Sequence, residues 1–342
     1  MYSLRDNKQL WVGLVVFSAG ILIYLAQTPF GYRSAQYRRT PCGNLSRSIT
    51  ETDMLGALRA DGFSPRLLSR AVRRSVDADT SHVVPRVVHY VLYDVPKGVR
   101  FEFQHYLSFR SAGHFLKPQY IFLHGNVVPK TDWWNRTIGE VDNIYHVYRK
   151  KRTHINGKRV SFVQHLADVT RLDVTIDYGG IYLDTDMLIL KSLDPLRVHA
   201  LTLGVSGPKE ISNAIIIAQK NALFLRLWKE NYKNYKPAIW GHNSVTFGRK
   251  LFLLFPHLVH VEKEHLLRPT WKEVHLLYSL RGEFYNWSQS YSVHVSGEGK
   301  YRVPRTVEQL KGYNNTLGEV MRYIYFGSRK LLPVKGAPFT PK

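Results

Sequence analysis

Residues 161–190 change their hydrophobic period midway, and that change restricts the fold more than any other feature of the chain. In "SFVQHLADVTRLDVTIDYGG", Phe162, Leu166, Val169, Leu172 and Ile176 recur at helical spacing. The spacing predicts a helix over 161–180 that ends at Gly179-Gly180. "IYLDTDMLIL" follows, with strands expected at Ile181–Leu183 and Met187–Leu190. Similar alternation surrounds this unit. Strands are expected within 83–93, 119–125, 143–149, 201–205 and 214–218, and helices within 101–112, 221–232 and 243–255. Strands alternating with helices predict an α/β domain with a mainly parallel sheet. No internal repeat is present.

Two carboxylates interrupt the apolar run at Asp184 and Asp186. At i and i+2 in an extended strand they point the same way. Close carboxylates repel, and burial worsens the repulsion. A bound cation relieves both costs, and hard oxygen ligands suit magnesium or manganese. Such ions usually share their coordination with substrate phosphates. Spacing alone also fits a turn with two solvated aspartates. The position favours a site, because open parallel sheets bind ligands at the carboxyl ends of their strands.

"LADVTRLDVTIDYGGIYLDTD" resembles the signature of the glycosyltransferases with a sugar-binding region containing the Asp-x-Asp motif. These include animal α1,4-galactosyl- and α1,4-N-acetylglucosaminyltransferases and fungal initiating mannosyltransferases. Asp168, Arg171, Gly179, Gly180, Ile181, Tyr182, Asp184 and Asp186 stand in register with that pattern, and "VPRVVHYV" resembles the family's first strand. The resemblance is strong over 83–203 and weaker beyond. It implies a GT-A fold, a retaining mechanism, a nucleotide-sugar donor, with a UDP-sugar leading, and usually manganese. It makes Asp186 a metal ligand and Asp184 a ligand of both metal and donor. Asp168 and Arg171 would hold hydroxyls of the transferred sugar, where a plain reading gives a surface ion pair opposite the apolar stripe. The donor-binding set also takes in Gly179, Gly180, His89 and Tyr90, although a core histidine fits His89 nearly as well.

"HVSGEGK" has a His-x-x-Gly-x-x-Lys spacing similar to that of another retaining family. It offers His294 as a third metal ligand and Lys300 as a diphosphate contact. Asn213 falls where relatives place a polar residue near the sugar. "AIWGHNSVTF" keeps Thr246 of an acceptor-bordering motif but lacks its Gly-Pro, so Trp240, His242 and Thr246 are acceptor candidates. The leading expectation is transfer of galactose or N-acetylglucosamine to a glycan or glycolipid. The alternatives are a GDP-mannose-dependent mannosyltransferase and a catalytically silent, lectin-like protein of the same fold.

Composition bounds the partners. The chain has 342 residues and a formal net charge of +22, which suits phosphate-bearing or acidic ligands. The charge comes without a zinc finger or an RNA-binding aromatic motif, so no nucleic-acid role is expected. Residues 10–26 form an uncharged run of 17, at the short end for a membrane span. Flanking charges leave its orientation open, whereas the resemblance implies a type II Golgi protein. The expected organisation is a cytosolic tail (1–9), an anchor (10–26), a stem (27–82) and a catalytic domain (83–342). Asn44, Asn135, Asn286 and Asn314 head glycosylation sequons. The single cysteine, Cys42, excludes an internal disulfide and offers a link between two chains through the stem.

Overall fold

The computed structural model describes residues 82–332, apart from 96, 97, 99, 208, 209, 281, 282 and 297–299. The expected anchor, Cys42, Asn44 and the stem up to residue 81 lie outside the described residues. Among the described residues no helix is long and apolar enough to cross a membrane.

The elements follow in chain order: β1 (Val87–Val91), α1 (Phe103–Leu116), β2 (Tyr120–Gly125), α2 (Asp132–Glu140), β3 (Ile144–Tyr148) and the hairpin of β4 (His154–Ile155) with β5 (Lys158–Arg159). Helix α3 (Val163–Tyr178) leads into β6 (Gly180–Leu183) and β7 (Met187–Ile189). Then come β8 (Leu201–Gly207), β9 (Glu210–Ala218), α4 (Leu223–Glu230), α5 (Phe247–Leu254), β10 (His260–Glu262), β11 (Ser292–His294) and α6 (Thr316–Phe326).

Seven strands form one sheet in the order β10-β8-β9-β6-β1-β2-β3. The β1–β2, β2–β3, β1–β6 and β8–β10 pairs are parallel, and β9 runs antiparallel to both neighbours. The expected mainly parallel α/β sheet is present. The exception has a local cause: β8 and β9 are joined by a tight connection, which permits only antiparallel pairing.

Alternation along β1 puts a helix on each face. Val88 and Tyr90 join the larger core, where the Tyr90 ring stacks on Phe109 of α1 at 3.9 Å. Val87 turns the other way, to Phe122, Val147 and, on α3, Val174 and Tyr178. Helix α3 is buried nearly all round, including Asp168 and Arg171 at 7% and 6% exposure. The surface ion pair allowed by the plain reading is therefore excluded.

The two-glycine turn is fixed by its surroundings. Gly179 and Gly180 have φ of +71° and +107°, a region that side chains disfavour. A Cβ on Gly180 would lie 2.7 Å from Val87 Cγ2 and 2.8 Å from the Val87 carbonyl. A chain of hydrogen bonds then ties the turn to β1. Arg149 Nε donates to His124 Nδ1 (3.1 Å), leaving His124 Nε2–H to donate to His89 Nδ1 (2.9 Å) and His89 Nε2–H to donate to the Gly179 carbonyl (2.9 Å). Arg149 cannot accept, so the direction of the chain keeps both imidazoles neutral. Burial, the larger influence, pushes His89 down to about 4 and His124 well below its ordinary value.

Gly180→Ala combines a disfavoured φ with overpacking and should cost about 3 kcal/mol or more. Gly157→Ala, with φ +76° and open space around it, should cost about 1–2 kcal/mol. Chemical denaturation checks both; equal costs would show that the contact with β1 is unimportant. His89 also gives stability a pH dependence. Its folded value of about 4 lies below the unfolded 6.5, so the unfolded state protonates first. Its contribution is whole above pH 6.5 and falls away toward pH 4, by about 3 kcal/mol in all. In His89→Phe that part of the slope should vanish. Parallel pH profiles for the two proteins would refute the account.

Candidate active site

Strand β6 ends at Leu183, and the chain turns at once. The Met187 N–H donates to the Asp184 carbonyl (3.0 Å), so Asp184 and Asp186 belong to a tight turn between the two expected strands. Their side chains converge even so. Strand β7 leaves the main sheet and pairs antiparallel with β11, in a register that sets His294 opposite Met187. The Val295 N–H bonds the Asp186 carbonyl (3.0 Å), and His294 Nε2 lies 3.1 Å from Asp186 Oδ1. Asp184, Asp186 and His294 thus bring one ligand atom each to within 4.8 Å of one another. Two carboxylate oxygens and an imidazole nitrogen fit a hard or borderline divalent ion such as manganese.

Beside this cluster lies a buried cation. Arg171 Nη1 is 3.0 Å from Asp184 Oδ1 and donates to the Asn213 carbonyl (2.8 Å), while Nη2 is 3.4 Å from Asp168 Oδ1. Its guanidinium lies 4.7 Å from the Tyr182 ring centroid, and the Tyr182 hydroxyl donates to Asp184 Oδ1 (2.6 Å). Asn213 Nδ2 donates to Asp168 Oδ1 (2.9 Å). The antiparallel course of β9 makes this possible. It pairs Leu183 with Ile215 and bonds the Asp184 N–H to the Ala214 carbonyl (2.8 Å), so Asn213 arrives just past the end of β6.

The two aspartates respond differently to their neighbours. Burial raises Asp184 above the ordinary carboxylate value, with Asp186 adding to the rise and Arg171 opposing it. Burial pushes Asp186 the same way, but the charge and hydrogen bond of His294 bring it below that value. Against burial, Asp186 and Asp184 raise His294 to about 9. Burial likewise opposes the charge on Arg171, and Asp184, Tyr182 and Asp168 together more than restore it. The like-charge pair therefore has a protein counter-charge on each side before any ion is considered.

Of the residues singled out in the sequence, Asp168, Arg171, Asn213, Asp184, Asp186 and His294 form one constellation. His89 and Tyr90 do not join it. Both are fully buried, His89 in the histidine chain and Tyr90 with its hydroxyl 3.2 Å from Ser108 Oγ. Gly179 and Gly180 sit at the opposite end of β6. Lys300 is exposed, its ammonium 5.2 Å from the Tyr301 ring centroid. His242 and Thr246 bound a single π-helical turn, and Trp240 is 59% exposed beside it.

Sequence reasoning missed three neighbours. Tyr182 hydrogen-bonds Asp184. His105 on α1 adds positive influence at Asp186. The buried Tyr232 hydroxyl has no hydrogen-bond partner among the described residues, while Asp168 and Arg171 both act on it. Only Tyr182 carried a signal, since it lies two residues before Asp184 and alternation puts both on one side of the chain.

The family model described as "Glycosyltransferase sugar-binding region containing DXD motif" matches residues 123–202. Glucan organizing enzyme 1 of Cryptococcus neoformans is 33% identical over 205 residues, 55% of each chain. The mouse lactosylceramide 4-alpha-galactosyltransferase is 32% identical over 104 residues, 30% of this chain and 28% of its own. The chain thus spans about half the length of the first of these relatives and less of the second. Among solved structures, the galactosyltransferase LgtC aligns with 72% of this chain and 97% of its own at 12% identity. Its TM-score of 0.40 is too low to carry an assignment. Residues 123–202, which hold Asp168, Arg171 and both motif aspartates, match the glycosyltransferase sugar-binding region containing the DXD motif.

Proposed function

We propose that the protein is a metal-dependent, retaining glycosyltransferase of the GT-A type. It moves a hexose or N-acetylhexosamine, galactose or N-acetylglucosamine first among them, from a UDP-sugar to a glycan or glycolipid in the Golgi lumen. The observation that carries this reading is the convergence of Asp184, Asp186 and His294 beside the buried Asp168–Arg171–Asn213 group. The first three residues would hold manganese or magnesium, which supplies Lewis-acid stabilisation to a diphosphate leaving group. Asp168 and Asn213 present a carboxylate and an amide, locked to each other, to the hydroxyls of the transferred sugar. Arg171 holds Asp168 and Asp184 in place. Retention by double displacement calls for a carboxylate or amide near the anomeric carbon, and Asn213 with Asp168 is the pair proposed for that position. The printed name of the mouse relative, a lactosylceramide 4-alpha-galactosyltransferase, supports hexosyl transfer to a glycolipid.

Asp184→Asn and Asp186→Asn should each lower manganese-dependent turnover of the UDP-sugar by roughly a hundredfold or more. Their effects on the fold should differ. Asp186→Asn leaves Arg171 balanced and should unfold close to wild type. Asp184→Asn removes one of the two carboxylates facing a buried guanidinium and should cost about 1–3 kcal/mol. Donor hydrolysis and thermal unfolding, each with and without manganese and UDP, measure both. A variant that keeps full turnover and the full manganese-dependent stabilisation would remove these aspartates from the metal site.

A luminal catalytic domain with an N-terminal anchor is part of the same proposal. Asn135, Asn286 and Asn314 are exposed on the fold and so open to modification. Glycosidase treatment of the protein expressed in animal cells should lower its apparent mass. An unchanged mass, together with a C-terminal tag open to cytosolic protease, would overturn the topology.

A further inference from the structure

Helix α3 carries a second row of groups leading away from the active site. Phe162 stands just before the helix, and His165 and Asp168 follow it at intervals of three residues. The row rises from buried Asp168 through buried His165 to exposed Phe162, a climb of about 9 Å. Trp240 joins it at the outer end. Its ring meets Phe162 edge-on at 5.4 Å and lies over His165 at 5.8 Å. His165 is held from beneath, with Nδ1 2.6 Å from the Tyr235 hydroxyl. Trp240 and Phe162 remain 59% and 39% exposed. Two adjoining aromatic side chains are thus left open to solvent, a surface that a ring-shaped ligand can cover.

Positive charge lies in the segments next to this platform. The β4–β5 hairpin is clamped to its lower edge: Lys158 Nζ donates to the Tyr235 carbonyl (2.9 Å) and Asn156 Nδ2 donates to the Lys233 carbonyl. The clamp brings the hairpin that carries Lys158 and Arg159 to the segment that carries Lys236, four residues before Trp240. All three are exposed. The nearby acidic side chains are already neutralised. Glu230 pairs with Lys233, and Asp173 pairs with Lys229 and Arg152.

We propose that the Phe162–Trp240 platform and its rim of Lys158, Arg159 and Lys236 bind an anionic saccharide, the acceptor chain of the transfer reaction. This rests on the glycosyltransferase reading of the neighbouring site. Stacking on the aromatic faces selects a sugar ring. The cationic rim selects one that bears sulfate or carboxylate, by charge-assisted hydrogen bonds. The row along α3 places that ring within a few sugar units of Asp168, so one oligosaccharide reaches from the platform to the reacting centre.

The test is calorimetry on the full chain with manganese and UDP, using three galactose-based oligosaccharides of equal length: sulfated, carboxylated and uncharged. Both anionic probes should bind about tenfold more tightly than the neutral one at low salt, and the advantage should shrink as salt rises. The tighter of the two identifies the anionic group. Arg159→Gln/Lys236→Gln should erase the preference, whereas Lys117→Gln/Arg329→Gln, of equal charge change on the α1–α6 side, should leave it. Trp240→Ala should weaken all three probes by about tenfold, as loss of an aromatic anchor does. The assignment is overturned if no probe binds, if the neutral probe binds as well as the others, or if both charge pairs reduce the preference alike. The last outcome would be general polyanion attraction to a basic protein. Donor hydrolysis separates the two levels of inference. A wild type that hydrolyses a nucleotide sugar yet shows no charge preference loses only the acceptor assignment. One that hydrolyses no UDP- or GDP-sugar loses the glycosyltransferase reading itself.

Discussion

A buried guanidinium organises the active site. Arg171 is 6% exposed, and a charge so placed is tolerated only with partners close by. Asp168 comes from its own helix, Asp184 from the turn after β6, and the Asn213 carbonyl from β9. Three elements distant in sequence are tied to one cation. A change in any of them leaves that cation undercompensated, which costs more than an ordinary lost hydrogen bond. Arg171 therefore links stability to function, because the groups that make its burial tolerable are the groups that face the proposed donor.

The sheet supplies the other half of the arrangement. Had β9 run parallel to β6, like most of the sheet, Asn213 would be carried away from the carboxyl end of β6. Its reversal brings a polar residue back beside Asp184. The departure of β7 to pair with β11 does the same for His294, which is 108 residues from Asp186 in sequence. Both devices depart from a regular parallel sheet, and both act at the edge where the strands end. The opposite end of β6 is fixed by the two glycines and the histidine chain. The strand carrying the motif is thus held at one end by packing and at the other by charge.

This division explains what could be read from sequence. The helix, the two-glycine stop and the short strand were legible because their signals are local: a 3.6-residue period, a backbone requirement and an apolar run. The identity of the pair to Asp168 and Arg171 was legible through spacing, but its burial was not. The apolar stripe suggested one buried face, and only the stacking of α3 between the sheet and α4 encloses the other. His89 was ambiguous for a related reason. A histidine in a buried strand looks the same whether its ring faces a ligand or, as here, another histidine brought by β2. The break between the two short strands was legible, because the apolar runs stop at Leu183 and resume at Met187. The turn between them depends on β7 finding β11, a pairing that no local pattern announces.

The electrostatics also modify the expected purpose of the two aspartates. A cation was inferred from the difficulty of holding two carboxylates together. In the fold each already has its own counter-charge, Arg171 for Asp184 and His294 for Asp186. The pair can therefore be assembled during folding, without waiting for an ion. The counter-charges are not equivalent. Arg171 is permanently charged and pinned by several contacts, so Asp184 keeps a fixed position. His294 can give up its proton, and as a neutral imidazole it becomes a ligand itself. One side of the motif is thus paired with a permanent charge and the other with a titratable one.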